Sequence, residues 1–600
     1  MTVAAPRWDL TNIYPSLDSS EFKQAVESYR KQVADLGDYF AEVVSKADAS
    51  APAETLAPIV GEVVDRMNSI DTLANTINPY IYSFVSTNSH DKLAMKTTSE
   101  FEQAMLPMQQ INVQFKGWMG RLAPVLDQIV AANPSAGAHA FILKEAAEQS
   151  KYLMSDAEEA LAAELSLSGG TAFEKLHGTL TSQLTVDFEL DGKVQKMPMP
   201  ALINLRSHPD EDTRRRAYEA ENQAWETAQE ALAYCMNGVK GEAAALNRRR
   251  GRPDALHSAL EAARLDRPTL EAMFAAMQGS FPMFRAYFKA KARMIGKEKL
   301  AWWDLYAPMG KTDREYSFEE ARDFVLENFG RFSPELAAFA KRAFDNRWID
   351  AEQREGKRGG AFCMGIDGVF ESRIMSNFDG SFDQISTLAH ELGHGFHNEC
   401  AYQAKKTVLQ QITPMTLAET ASTMCETIVT EAALSATEDP QELLAVLESQ
   451  IQGAAAVVVD IYSRFLFETE VFERREKAEL SADELNEIME RAQKSTYGDG
   501  LDERYLQKFM WTWKPHYYSP SLSFYNFPYA FGLLFATGLY AIYKQRGAEF
   551  VQDYKQLLAS TGEATPADLA ARFGIDIRTR KFWDDSLDVF RARVDRFCSL

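Results

Sequence analysis

The stretch Ser386–Glu399, STLAHELGHGFHNE, decides what kind of fold this chain must build. His390 and His394 stand four positions apart, and on a helix residues so spaced project from one face, one turn above the other. Two imidazole nitrogens can then reach a single metal ion while Glu391 flanks it, the HExxH arrangement in which the glutamate serves as general base of a metallopeptidase. Neutral imidazoles suit Zn²⁺, and a site with three protein ligands leaves a position for water. The local sequence favours the helix this requires. Leu388, Ala389, Leu392 and Phe396 recur at helical spacing, Ser386 is a candidate N-cap, and no proline interrupts the run.

A third ligand must come from elsewhere. Extension to HExxHxxGxxH fails, because His397 occupies the glycine position and Cys400 the third histidine position. Downstream, TPMTLAETASTMCETIVTEAAL places Pro414 before a run of helix formers, with Glu419 and Glu426 seven positions apart on one face. A second helix carrying a carboxylate can close a His₂Glu set, and Glu419 is expected as that ligand. Glu426, two turns further on, is placed to accept a hydrogen bond from a ligand histidine and fix its tautomer. The alternative for Glu426 is a paired or surface carboxylate without a metal role.

HELGHGFH followed by LAETAS, with twenty-four residues between His394 and Glu419, resembles the oligoendopeptidase F and thimet oligopeptidase family of zinc metallopeptidases, and the bacterial oligoendopeptidase F branch most closely. Three further stretches share the resemblance: PRWDLTNIYPSLDSSEF from Pro6, GGAFCMGIDGVFESRIMSNFDG from Gly359 and KPHYYSPSLSFYNFPYAFG from Lys514. The resemblance implies a mainly α, multi-helix, two-lobed metallopeptidase enclosing a deep substrate channel, with a small β-sheet beside the zinc helix. It implies one Zn²⁺ per chain, a glutamate as third ligand, short oligopeptides as substrates, and His516, Tyr525 and Tyr529 as donors to substrate and transition state. Which tyrosines face the metal stays open. An N-terminal helical lobe over 1–200 and a catalytic domain over 201–600 are expected.

The expected activity is hydrolysis of internal peptide bonds by metal-activated water, with Glu391 as base. Two alternatives stand beside it. A dipeptidyl carboxypeptidase of the same superfamily would need a cationic group for the substrate's C-terminal carboxylate; a catalytically silent zinc or peptide binder would have no need of Glu391.

Composition fits a soluble globular protein: 600 residues, 46% hydrophobic and 25% charged. A formal net charge of −22 argues against a nucleic-acid partner, which would need a basic face. The runs Arg214–Arg216 and Arg248–Arg250 read as solvated or ion-paired helix surface. Five cysteines, at 235, 363, 400, 425 and 598, show no CxxC spacing and are not a disulfide framework; Cys400 and Cys425, near the metal segment in sequence, read as buried structural residues rather than soft ligands. MTVAAPRWDL lacks a basic segment followed by an apolar one, so a cytoplasmic protein is expected. Two apolar stretches, Tyr517–Tyr543 and GAAAVVVDIYSRFLFE, read as core helix rather than membrane span, since prolines and tyrosines break the first and Asp460 and Arg464 the second.

Helical periodicity dominates, over 20–47, 53–88, 91–132, 137–166, 209–248, 317–345, 382–402, 415–437, 440–477, 481–495 and 526–560. Two hairpins are expected. LTVDFELDGKVQKMP turns at Asp191 and Gly192, and GAFCMGI pairs with SRIMSNF just before the metal helix. In the second, an edge strand beside the metal could pair with an extended peptide, or both strands could simply pack beneath the helix.

Overall fold

The computed structural model describes residues 5–311 and 314–600; the first four residues of MTVAAPRWDL lie outside them. Among the described residues the chain is mainly helical, with five short strands in two small sheets. It divides into two compact units, each drawn from three segments: Met1–Leu153, Asp313–Ala433 and Ile542–Ile575 in the first, Met154–Thr312, Leu434–Ala541 and Asp576–Leu600 in the second. The units are discontinuous in sequence, so 1–200 and 201–600 name stretches of chain rather than these units.

In the first unit, the helix Ser20–Tyr39 opens where the Ser19 side chain accepts from the Phe22 amide, and Lys92–Leu122 where Asp91 accepts from that of Ala94. The long helix Ala53–Thr87 between them buries Leu56, Val60, Val63 and Val64 against Trp118, Met119 and Leu122. This apolar face is the core of the N-terminal helices.

The same unit holds a three-stranded sheet of β3 (Ile349–Asp350), β4 (Phe362–Ile366) and β5 (Glu371–Met375) in the order β3-β5-β4. The β4–β5 pair is the expected antiparallel hairpin, with Cys363 opposite Ile374; the parallel addition of β3 is new. Its two residues are too few to show a period. The PRWDLTN run is tied to this sheet. Arg373 on β5, buried, donates through Nε to the Asp9 carbonyl and through Nη2 to Asn12 Oδ1, while Asn12 donates to Glu371.

In the second unit, β1 (Thr185–Leu190) and β2 (Lys193–Pro198) pair antiparallel about Asp191 and Gly192, both at positive φ, as a two-residue hairpin turn demands. Helices Glu211–Arg249, Arg267–Met294, Ala482–Tyr497 and Arg580–Ser599 make up much of the rest. The arginine runs are spent on ion pairs: Arg214 with buried Asp304, Arg215 and Arg216 with Asp212, Arg250 with Glu159. By length and composition Pro440–Arg475 would pass as a membrane span, and 56% of its apolar window is buried within the structure.

The helical reading fails at breaks and leaves out three long helices, Gly170–Gln183, Arg267–Met294 and Arg580–Ser599. The run 137–166 divides into Ala140–Gln149 and Asp156–Ser168, the second started by a capping box at Ser155 and Glu158. Ser333 and Pro334 interrupt 317–345, and Gly547 at φ +62 interrupts 526–560. As Ala53–Thr87 carries Pro58 and Pro79, so Arg267–Met294, capped by Asp266, carries Pro282 inside. Burial of Met273, Met277, Phe284 and Tyr287 on one side holds that helix across the missing donor.

Candidate metal centre

The motif lies on the helix Phe382–Gln403. Its N-cap is Ser381, whose hydroxyl accepts from the Gln384 amide, with Asp383 in the first turn where the helix dipole favours an anion. Ser386, expected to cap, instead lies buried inside the helix. The helix begins a turn earlier than that cap would allow, behind Gly380 at φ +86.

Two glycines let this helix be packed from both sides. A Cβ on Gly393 would stand 2.5 Å from the Ala421 carbonyl oxygen and from Ser422 Cα, so only glycine admits the following helix this closely. A Cβ on Gly395 would meet the Phe339 ring at 2.7 Å. Close approach at Gly393 is what brings Glu419 within reach. Glu419 sits not within one continuous helix but at the joint between Met415–Ala418 and Thr420–Ala436.

The cluster is tight. His390 Nε2 lies 3.2 Å and His394 Nε2 3.4 Å from Glu419 Oε2, and the three ligand atoms fall within 4.8 Å of one another. Glu426 Oε2 is 3.2 Å from His390 Nδ1 on the ring's other side, and the Ser422 hydroxyl donates to Glu419 Oε2 at 2.6 Å. Burial alone would lower His390, but Glu419 and Glu426 outweigh it and hold its pKa up to about 10. Burial would likewise raise Glu419, yet His390 and His394 hold it down to about 2. His394, with less carboxylate support, is brought down by burial to about 4. The two carboxylates thus favour positive charge at the His390 ring, while burial keeps His394 neutral.

Glu391 points into the same place. Its carboxyl is buried, pushed up to about 7, and its Oε2 has no hydrogen-bond partner among the described residues. Such an orphaned oxygen is costly unless a further group meets it. Two neutral-capable imidazoles, one carboxylate and an unpartnered carboxylate oxygen beside them fit a Zn²⁺ ion with a water.

The centre opens into a cavity of about 520 Å³ in the first unit, lined by Phe362, Cys363 and Gly365 of β4 and by Gln411 and Thr413. β4 is an edge of its sheet. His397, the residue that spoils the longer motif, is buried with Nε2 2.9 Å from the Thr561 hydroxyl, and burial lowers its pKa to about 4. Sequence reasoning missed this histidine's anchoring partner and Ser422, because both contacts are set by packing; the glycine pair in HELGHG was the available signal for the close helix. Cys400 and Cys425 are buried, as expected, with burial pushing Cys400 up to about 12 and Cys425 also upward.

His516, Tyr525 and Tyr529 belong to the second unit and are brought near one another there. The tyrosine hydroxyls are 2.7 Å apart, and the His516 and Tyr525 rings are 5.6 Å apart between centroids. Asn526 Nδ2 lies 2.7 Å from His516 Nε2, so with Asn526 donating the histidine's own donor is Nδ1–H. Burial, assisted by Arg464 and Lys514, lowers His516 to about 3, keeping the ring neutral. Phe524, buried at φ +52, sets the turn into Tyr525, an uncommon conformation for an aromatic residue.

A mainly helical chain that joins HExxH to a glutamate at the joint before the following long helix defines a metallopeptidase-type centre. Residues 204–589 match the model of Peptidase family M3 and residues 123–185 that of Oligopeptidase F, and the chain belongs to Peptidase family M3. It is similar to Oligopeptidase PepF of Bacillus subtilis, 22% identical over 609 residues that cover 99% of this chain and 87% of the relative. It is also similar to an oligoendopeptidase F homolog of Lactococcus lactis, 27% identical over 325 residues, 54% of this chain; that match spans about half of the relative's length, 53%. The fold is shared with a solved structure from Chlamydophila abortus at TM-score 0.85 and 17% identity, covering all of both chains. It is shared also with oligoendopeptidase-F of Enterococcus faecium at TM-score 0.66 and 18% identity, covering 96% and 97%.

Proposed function

We propose that this chain is a zinc-dependent endopeptidase that hydrolyses internal bonds of short oligopeptides. The observation that carries the reading is the convergence of the His390, His394 and Glu419 ligand atoms within 4.8 Å beside the buried, unpartnered Oε2 of Glu391. His390, His394 and Glu419 would hold the ion, which when bound supplies Lewis acidity toward water and the scissile carbonyl. Glu391 takes the proton of the attacking water at its carboxylate and passes it to the leaving amine. Glu426 fixes the tautomer and orientation of His390 through Nδ1. The β4 edge offers main-chain pairing to an extended peptide, which gives affinity with little demand on side chains. His516 Nδ1–H and the Tyr525 and Tyr529 hydroxyls act as donors toward substrate, a role supported by the family resemblance and by their mutual arrangement.

The test is a quenched peptide blocked at both ends, with metal content measured on the same preparation. Internal cleavage that is lost on chelation and restored by Zn²⁺ is expected. Cleavage confined to peptides with a free C-terminus would replace the endopeptidase reading with a carboxypeptidase one, and undiminished cleavage after complete metal removal would overturn both.

A further inference from the structure

The turn that joins β4 to β5 holds a large apolar side chain in an unusual place. Phe370 is 64% exposed and sits at φ +53, a conformation uncommon for any residue but glycine and an outlier for a bulky one. The turn itself is firmly seated. The Gly368 amide donates to the Thr76 hydroxyl at 2.8 Å and the Val369 amide to the Ile366 carbonyl at 3.2 Å, and a Cβ on Gly368 would stand 2.6 Å from Thr76 Oγ1, so the turn rests directly on the helix Ala53–Thr87. A strained backbone held in this way, presenting a ring to solvent, points to a use for the ring.

The ring stands at a cavity. Phe370 and Tyr402 meet edge to face with centroids 5.6 Å apart, and both line a space of about 560 Å³ bounded also by Thr72 and by Lys405–Val408, beyond the end of the metal helix. Sites for small ligands and side chains run to roughly 300–1,000 Å³, so this one is large enough to receive a group. Its polar walls are already engaged. Tyr402 and Asn75 donate to the two oxygens of buried Asp367, each at 2.9 Å. The Thr72 hydroxyl donates to the Asn68 carbonyl, that of Thr407 lies 2.7 Å from His139 Nε2, and Lys406 pairs with Glu563. What remains for an occupant is carbon: two rings, Val408, threonine methyls and lysine stems. Such a lining selects an apolar group.

The cavity also continues the metal site. Gln411 lines both spaces. Phe362, Cys363 and Gly365 of β4 line the metal cavity together with Glu391, and Asp367, the residue after β4, lines this one. A peptide paired with the β4 edge advances about 3.3 Å per residue, so about four residues carry it from the level of Cys363 to that of Asp367.

We infer that this cavity is a subsite for an apolar side chain, aromatic or branched aliphatic, of the peptide substrate, about four residues from the cleaved bond and packed against Phe370. The inference rests on the peptidase reading above and deepens it with a substrate preference.

The experiment uses the zinc-loaded full chain and peptides blocked at both ends, all of one alanine-rich sequence around a fixed cleavage site, with a single phenylalanine moved along it position by position. Phenylalanine in place of alanine should raise kcat/KM about tenfold or more, mainly through KM, the scale of burying one large apolar side chain. The gain should fall at one position about three to five residues from the cleaved bond, and the side on which it falls gives the direction of the bound peptide. Phe370→Gly removes the ring and suits φ +53, so the turn should fold unchanged by melting temperature while the ratio of phenylalanine to alanine peptide moves toward one. Thr72→Trp, which fills the cavity, should do the same, and Phe370→Leu should keep most of the preference. An even profile in a chain that cleaves the series overturns the inference, as does a preference that survives both Phe370→Gly and Thr72→Trp. If the wild-type chain cleaves none of the peptides, calorimetry reads the same series: tighter binding of one phenylalanine peptide, lost in Phe370→Gly, removes the peptidase reading and leaves the apolar site standing, whereas equal binding or none removes both.

Discussion

The helix Phe382–Gln403 and the segment Lys514–Tyr529 hold the two sets of proposed site residues by opposite means. On the helix, the 3.6-residue period alone sets His390 and His394 one turn apart, with ring centroids 5.0 Å from each other. The segment instead passes through a short 3₁₀ turn at Pro515–Tyr518 and a left-handed Phe524 before entering the helix Phe527–Arg546. Its geometry is the product of several independent backbone choices. A site on a regular element can be read from spacing, whereas a site on an irregular one can be read only from resemblance.

The sharpest way to break the helical half is Glu391→Gln. The change keeps shape and removes the base, so metal should stay while turnover falls by ~10⁴-fold, the upper end for general-base catalysis. Metal content and single-turnover hydrolysis check it. A zinc-loaded variant with near-normal turnover would remove Glu391 from the chemistry.

For the irregular half the expected losses are smaller. His516→Ala and Tyr529→Phe should each keep the metal and lose about 10²–10³-fold in turnover, the scale of one transition-state donor. A donor used only in the transition state lowers kcat and kcat/KM equally, and that pattern is expected for at least one tyrosine, with a mixed pattern for His516. Because the Tyr525 and Tyr529 hydroxyls are 2.7 Å apart, the double Phe variant should cost less than the sum of the singles. Wild-type kinetics in His516→Ala, Tyr525→Phe and Tyr529→Phe alike, with folding intact, would reduce these residues to lining.

What was legible follows the same divide. The metal helix, both hairpins and the carboxylate-bearing run after Pro414 were readable because each rests on local signals: apolar spacing, an Asp-Gly turn, a proline at a helix start. The cap at Ser381 was not, since serine at 381 and serine at 386 look alike until Gly380 is known to turn the chain at φ +86. Glu419's place at a helix joint was equally hidden, being fixed by the approach of Ala421 and Ser422 to Gly393 rather than by any pattern near Glu419.

That approach can be tested directly. Gly393→Ala should lower stability by about 1–3 kcal/mol, since its Cβ meets backbone that cannot swing aside, and should weaken metal binding by displacing Glu419. Gly453→Ala, also on a helix but with open space around its Cβ, should be neutral or stabilising by up to about 1 kcal/mol. Thermal unfolding of the two variants compares a glycine needed for contact with one that is not. Equal melting temperatures would mean that the two helices can move apart freely, and the account of Glu419 would fall.

The smallest effect separates the two carboxylates on either side of His390. Glu419 Oε2 reaches Nε2 of His390 and also His394, whereas Glu426 Oε2 reaches only Nδ1 of His390. A group that touches one ligand from behind orients it and raises its basicity, and removing such a group lowers metal affinity by about 10–100-fold without removing a ligand. Glu426→Ala should therefore bind Zn²⁺ more weakly yet recover activity at saturating metal, while Glu419→Ala should lose metal and activity together, with only partial recovery in excess zinc. Competition with a chelator of known affinity reads both. If Glu426→Ala strips the metal and Glu419→Ala does not, the joint after Ala418 is not where the third ligand comes from, and the second turn of the following helix takes its place.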